Sequence, residues 1–360
     1  MILFRHAAAR TLWAFLGALG GVLAVFLAVD FVDNAPQFTG AGWIRPALEL
    51  YANKAAVVVR QVAPAAMILG AGIAASGFRQ TREWVAMRAL GLGPWRLALP
   101  VVLVTLVSGL VLVVLHEAVG VQAAERAEEI RAERFGRRQD IRRREAHRAP
   151  KRWFRGANGR RIYHLRGTLP GGGFEHVTLY EVTPDFRLAR RIDAVRMRPE
   201  QGAWTLEDAV ERTFRPDGTL AMERSAVRRI VLDEPPEAFS VAPGRPSQLR
   251  FDTLVKQIGV RRRAGLPHAD FVMERYNRLA YPFSGVPGAL LALALALRRN
   301  RKGHVSAALL ESVAVSLLFW AVQGVTVALA LSGRVPAWVA AWAPNVLFLA
   351  AGLVAVRRTG

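Results

Sequence analysis

Three long, charge-free apolar runs near each end of the chain flank a polar and strongly basic middle. This distribution constrains the fold more than any other feature. The runs are Thr11–Val29, Gln61–Phe78, Leu97–Leu115, Leu279–Leu297, Ser312–Gly333 and Val335–Val356. Each holds 18 to 22 residues, close to the roughly 20 that a helix needs to cross a bilayer's hydrocarbon core. A buried helix of a soluble protein seldom stays uncharged for so long, and here it happens six times. The expected architecture is a membrane protein with six transmembrane α-helices, three plus three, around an inserted domain.

The chain is 52% hydrophobic, an average that mixes apolar ends with a segment near 120–275 that reads as water-soluble and is long enough for its own core. There is no cysteine, which excludes disulfides and thiolate metal sites. A formal net charge of +21 would suggest nucleic acid in a soluble protein. In a chain already placed in a bilayer, anionic lipid headgroups are the nearer partner, and no nucleic acid is expected.

The first run follows Arg5 and Arg10 and leads into Asp30-Phe31-Val32-Asp33 without an A-x-A-like cleavage site, so it reads as a retained span with a cytoplasmic N-terminus. Alternating spans then place Arg79, Arg82, Arg88, Arg96, Arg298, Arg299, Arg301, Lys302 and the final Arg357-Arg358 inside, which is the positive-inside pattern. The middle segment falls outside despite its arginines, because long domains translocate largely regardless of charge. Glu125–Arg148 reads as an exposed helix continuing the third span. Beyond it, Arg161–Leu165, Val177–Val182, Ala203–Val210 and Ser225–Leu232 are short, partly alternating runs. Turn signals separate them at Gly156–Gly159, Gly171–Gly173, Pro216–Gly218 and Pro235-Pro236. These predict an antiparallel sandwich or open roll, with Pro243–Pro246 as a linker back to the membrane. The expected domains are 1–118, 119–270 and 271–360.

No catalytic constellation stands out. There is no phosphate loop, so the chain should not hydrolyse ATP itself. His116-Glu117 begins like a zinc-protease motif, but position 120 is Gly and the second His is missing. The cytoplasmic stretch Gln80–Trp95 is more suggestive: a short helix that should end at Gly91 or Gly93, blocked by Pro94. Such a helix could dock into a groove of a cytoplasmic partner or lie on the membrane with Trp84 and Trp95 as anchors.

Around Trp84–Trp95 the chain resembles the coupling-helix region of the LptF/LptG permease family. The resemblance continues in Phe31-Val32-Asp33, in Glu274-Arg275-Tyr276-Asn277-Arg278-Leu279-Ala280-Tyr281-Pro282, and in Pro336–Asn345 with Trp342, Pro344 and Asn345. Trp153-Phe154-Arg155 and Val177–Glu181 fall where that family's periplasmic domain begins its strands. The resemblance covers nearly the whole chain, and the Asp30–Asp33 region favours the LptG type.

That resemblance implies a lipopolysaccharide transporter in the bacterial inner membrane. It implies a periplasmic β-jellyroll-like domain, a paired LptF-type permease (LptG-type if this chain is LptF), an LptB-type ATPase that carries ATP and Mg, and LptC- and LptA-type periplasmic proteins. No cofactor is expected on this chain itself. Carried over by residue, Glu83, Trp84, Met87, Arg88 and Gly91 would form the ATPase-coupling site, with Glu83 accepting a cationic partner. For Glu83 the alternative is simple solvation at a helix start, where a carboxylate suits the helix dipole.

Arg45, Lys54 and Arg60 are candidates to hold lipid phosphates; for Arg60, one turn inside its span, snorkelling is the first reading. Arg137–Arg152 reads first as a solvated helix and second as a phosphate binder, and Glu311 as an interface residue. The resemblance also implies a lipid chamber between the first and fifth spans of paired permeases, with Gly17, Gly20 and Gly21 at a packing face or gate; ordinary lipid-facing placement is the alternative for these glycines. The rival reading is a non-transporting signal coupler that uses an ATPase to move its external domain and regulate an envelope enzyme. It needs no lipid-sized chamber.

Overall fold

The computed structural model describes residues 2–39, 42–135, 152–156, 159–169, 173–200, 203–215, 218–232, 234, 239, 246–263, 266–298 and 305–359. Two compact units emerge: a helical unit of Met1–Phe135, Arg245–Phe251 and Ala269–Gly360, and a second of Gly136–Gly244 and Asp252–His268. The Arg137–Arg152 stretch, apart from Arg152 itself, lies outside the described residues.

The helices are α1 (Ile2–Asn34), α2 (Ile44–Gln80), α3 (Glu83–Ala89), α4 (Trp95–Leu115), α5 (Val121–Arg134), α6 (Phe251–Arg263), α7 (Ala269–Ala280), α8 (Gly285–Arg298), α9 (Val305–Leu331) and α10 (Ala337–Arg357). A π-helical turn, His116–Gly120, joins α4 to α5. Five helices are each long and apolar enough to span: α1, α2, the α4–α5 rod, α9 and α10. The sequence boundary near 118 falls inside that rod, and the helical unit extends to Phe135.

The fourth span, expected as one run over Leu279–Leu297, is bent by 43° between α7 and the segment Pro282–Arg298. Alone, the 14 residues of α8 would reach only about 21 Å, short of a core of about 30 Å. The break has a local cause. Pro282 lacks an N–H and its ring crowds the preceding turn, so the chain tightens into a 3₁₀ turn over Pro282–Ser284. The carbonyl of Ala280 is then free, and Asn345 Nδ2 from α10 donates to it at 2.9 Å. Tyr281 Oη donates to the Gln61 carbonyl at 2.7 Å, one turn before Pro64 within α2. Asn345→Ala should leave the Ala280 carbonyl unpaired at a buried site and destabilise the bundle by about 1–3 kcal/mol. Thermal unfolding of the purified protein checks this; an unchanged melting temperature would remove the role.

Small residues bring α2 close to its neighbours. A Cβ on Gly70 would meet the Phe15 backbone at 2.6 Å, and one on Gly285 would meet Met67 Sδ at 2.3 Å. Close approach of this kind is how apolar spans gain dispersion contact where lipid offers no hydrophobic contrast. Gly17, Gly20 and Gly21 behave differently: among the described residues nothing lies within 4 Å of where their Cβ would be. They sit on an open face of α1 and pack against none of the other described spans.

In the second unit, β1 (Arg152–Arg155), β2 (Arg161–Leu165), β3 (Thr168–Leu169), β4 (Gly173–Val182), β5 (Leu188–Glu200), β6 (Ala203–Phe214) and β7 (Leu220–Ile230) form one antiparallel sheet. Its order is β1-β2-β4-β5-β6-β7, with β3 paired to β4. The chain is therefore a membrane protein with an inserted antiparallel sheet domain. Gly218, at φ +81, closes the β6–β7 turn, where a left-handed conformation favours glycine.

Candidate functional site

The short helix after α2 is built from its ends. Arg82 takes a left-handed conformation (φ 59) to reverse the chain into α3. Gly91 (φ +75) ends it, and the Leu92 N–H returns to the Met87 carbonyl at 3.0 Å. Trp84 and Met87 are only 5% and 6% exposed and pack with Phe78, Leu97 and Ala98. Their side chains thus hold α3 to the bundle. The surface offered outward here includes Val85, Ala86, Arg88 and Ala89 of α3, followed by Leu90 and Gly91.

Glu83 is engaged within the chain. Arg10 Nη1 donates to Oε1 at 2.9 Å, His6 Nε2 lies 3.0 Å from Oε2, and the Thr81 hydroxyl donates to Oε1 at 2.6 Å. The Arg10 guanidinium sits 4.7 Å above the Phe78 ring. A Cβ on Gly77 would come within 2.4 Å of Arg10 Nη2, so glycine leaves room for the arginine. Partial burial pushes the Glu83 carboxyl upward, but the hydrogen bonds from Thr81, Arg10 and His6 outweigh it and hold the group below the usual carboxylate range. The start of α1 and the start of α3 are thereby joined by a charged clamp.

At the other end of the helical unit a cavity of about 250 Å³ is lined by Tyr51, Lys54, Arg60, His116 and Arg131, among others. Lys54 and Arg60 come together here, whereas Arg45 is exposed at the start of α2 and does not line the cavity. Neither lining cation is idle. Lys54 and the Tyr51 hydroxyl both donate to Asp30. Arg60 holds Glu274 at 3.2 Å and lies 3.1 Å from His116 Nε2.

Behind it, Arg278, 2% exposed, holds Glu117 at 2.7 Å and approaches Glu274 at 3.6 Å. Glu117 also accepts the Phe251 N–H at 3.2 Å, and Arg278 Nη2 donates to the Pro246 carbonyl at 3.3 Å. Two arginines thus face two glutamates, so this cluster is neutral, as ionisable groups at membrane depth need to be. Glu274 and Arg278, four residues apart on one helix face, and Glu117 on the π turn were not among the sequence-derived site residues. A π turn is itself a frequent mark of a functional position.

The sheet has two unlike faces. Tyr163, Leu165, Val177, Leu179, Ile192, Met197 and Leu206 form a buried apolar face, covered by Trp204, Leu232 and Phe239. One end of that face is charged: Arg161–Glu181 at 2.8 Å, Arg190–Glu181 at 3.2 Å and Arg190–Glu211 at 3.4 Å. Burial and a hydrogen bond to Glu234 raise the Tyr163 hydroxyl well above its ordinary pKa, so it stays a neutral donor.

A family model described as lipopolysaccharide export system permease LptF/LptG matches residues 5–358. No curated protein matches the chain significantly.

Proposed function

Because the chain belongs to the LptF/LptG family, the permeases of the lipopolysaccharide export system, we propose that it draws lipopolysaccharide out of the inner membrane and passes it to a periplasmic bridge. Permeases of this family are transporter subunits and not enzymes themselves. In this reading a separate LptB-type ATPase, holding ATP and Mg, docks on α3. A second permease of the pair faces this one, LptF-type if this chain is LptG-type. Both termini are cytoplasmic, the sheet unit is periplasmic, and lipid leaves it toward LptC- and LptA-type proteins.

The problem is energetic. Each acyl methylene leaving hydrocarbon costs on the order of 0.8 kcal/mol, so a many-chained lipid needs an external energy source and an apolar shelter. The observation that carries the reading is how unevenly the spans are packed. Only 6% of the apolar window of α1 and 28% of that of α9 are buried within the chain, the lowest values of the five long spans. The first and fifth spans therefore have surface to give to a chamber shared with a second permease. The apolar face of the sheet offers the next shelter, once Phe239 and its neighbours are displaced. Lys54 and Arg60 can exchange their carboxylate partners for lipid phosphate by charge-assisted hydrogen bonds.

Photo-crosslinkers at Leu206, on the apolar sheet face, and at Val85, exposed on α3, test this in cells. Lipopolysaccharide adducts at Leu206 that rise with ATP, together with ATPase adducts at Val85, are expected. ATPase capture at Val85 with no lipid at Leu206 would overturn the transport reading in favour of an ATPase-coupled signal coupler.

A further inference from the structure

The outer face of the sheet serves neither shelter nor docking in the reading above. The pairing register lays one row straight across it: Trp153, His164, Thr178, Asp193, Val210 and Arg224, from β1, β2, β4, β5, β6 and β7. A neighbouring row carries Tyr180, Arg191 and Arg212. At the β1 end Trp153 lies flat on the sheet. Its ring stacks 4.3 Å from His164 and 6.0 Å from Tyr180, at 18° to each. His164 beneath it is buried, yet Trp153 remains 63% exposed. One indole face is packed and the other is open to solvent.

Beside this aromatic end lies a cleft of about 430 Å³, lined by Arg166, His176, Arg191, Asp193, Asp208 and Arg224 among others. Two of these, His176 (φ 49) and Asp208 (φ 50), hold a left-handed backbone, which disfavours non-glycine residues and gathers at functional positions. At both the pairing is interrupted without a change of register: the partners run from Glu175↔Arg196 to Val177↔Ala194 on one side of β5 and from Asp193↔Val210 to Arg196↔Glu207 on the other. The sheet is thus deformed at one level, on both sides of Val195, where the cleft opens.

Asp193 is held by Thr178, Arg191 and Arg212. Burial pushes its carboxyl upward, but these partners outweigh it and keep the group below the usual carboxylate range. Arg166, Arg191, Arg212 and Arg224 outnumber Asp193 and Asp208 by two charges. An interface for a folded protein would need a broad apolar core; the large apolar groups exposed near the cleft are Trp153 and Val195, while Phe214, Leu220, Met222 and Val227 lie along β6 and β7 away from the aromatic end. A flat, open indole beside hydrogen-bonding side chains and surplus arginine suits a different occupant. The C–H face of a sugar ring stacks on an aromatic plane, hydroxyls bond to carboxylate and threonine, and a phosphate or carboxylate substituent takes the guanidinium fork.

We propose that the outer face of the sheet is a saccharide-binding platform, with Trp153 stacking on a sugar ring and Arg191, Arg224 and Asp193 fixing its acidic and hydroxyl groups. The proposal extends the transport reading, which supplies a glycolipid as the source of the saccharide. A glycolipid whose chains lie on the inner face of the sheet would be held at its head by the outer one.

The test is calorimetric titration of the full-length protein in detergent with fully deacylated lipopolysaccharide, a phosphorylated saccharide without acyl chains. Saturable binding is expected. Trp153→Ala should weaken it by roughly tenfold and Trp153→Phe by only about threefold, as loss against retention of a stacking plane. Arg224→Gln should weaken binding of the phosphorylated saccharide about fivefold and of a dephosphorylated one far less. Melting curves confirm that the variants fold. No saturable binding by the unaltered protein, or equal affinity in Trp153→Ala and Arg224→Gln, would overturn the platform. Lipid capture at Leu206 separates the two readings. Capture there without saccharide binding leaves transport standing and removes the platform; saccharide binding without capture does the reverse.

Discussion

Arg278→Met will destabilise the full-length protein by about 3–5 kcal/mol, the range for stripping one partner from a buried ion pair. Arg278 is 2% exposed and is the cation nearest Glu117, at 2.7 Å. Without it, Glu117 and Glu274 are left with Arg60, which reaches only Glu274, at 3.2 Å. The double variant Arg278→Met/Glu117→Gln should recover a large part of the loss. It restores one positive to one negative charge, and the glutamine oxygen can still accept the Phe251 N–H that Glu117 now holds at 3.2 Å. Thermal unfolding in detergent measures both. A single variant within about 1 kcal/mol of the unaltered protein would mean the cluster is hydrated and behaves as a surface pair. The cluster spans the second, third and fourth spans and the returning chain at Pro246, so its loss should also loosen the hinge at Pro282.

The membrane architecture was legible because bilayer thickness sets the length of an uncharged run, and five of the six runs became continuous spanning helices. The bend in the fourth was hidden in plain sight at Pro282. Hydropathy counts only side-chain polarity, whereas the break depends on a missing N–H and on Asn345, 63 residues further along the chain, which supplies the replacement donor. Strands β2, β4, β6 and β7 carried readable apolar runs. The longest strand, β5, did not: LARRIDAVRMRPE holds six charged residues, and its inward residues Ile192, Ala194 and Met197 fall out of step where the pairing is interrupted beside Val195. Arginine stems and partner carboxylates on adjacent strands make that composition tolerable, and no local pattern reveals such partners.

Site residues were legible to the extent that their chemistry was local. The helix over Glu83–Ala89 and its stop at Gly91 follow from turn chemistry. Which side of that helix faces outward does not, because it depends on where Phe78 and Leu97 lie. Trp84 and Met87 therefore read as contact residues in the sequence and are buried in the fold. Likewise His116-Glu117 looked like a failed metal motif. Its partners, Arg60 and Arg278, come from 56 and 161 residues away, and only the folded chain shows them meeting.

Neutralising either side of the clamp between Glu83 and Arg10 should uncouple α3 from α1. The bonds are charge-assisted and part-buried, at 2.9 Å to Arg10 and 3.0 Å to His6, and loss of such a bond is worth about 1.5–3 kcal/mol. At 1.4 kcal/mol per tenfold, amide exchange across α3 should speed up roughly ten- to hundredfold in Glu83→Gln or Arg10→Met. The pH response has a definite sign. The Glu83 carboxyl is depressed below its ordinary 4.5, so the clamp is complete above that value and is lost only as pH falls through the depressed one.

The double variant carries the decisive information, since Glu83 can serve either its own chain or a cation on the docked ATPase. If the clamp is its role, Glu83→Gln/Arg10→Met lowers ATP-driven lipopolysaccharide release no further than either single change, because all three remove one and the same interaction. If Glu83 instead answers a partner's cation, its loss exceeds that of Arg10 and the two effects add. The first outcome fits the geometry. The apolar window of α1 is the least buried by its own chain, so a push on α3 delivered through Arg10 acts on the span whose surface is most open to a neighbour outside the chain.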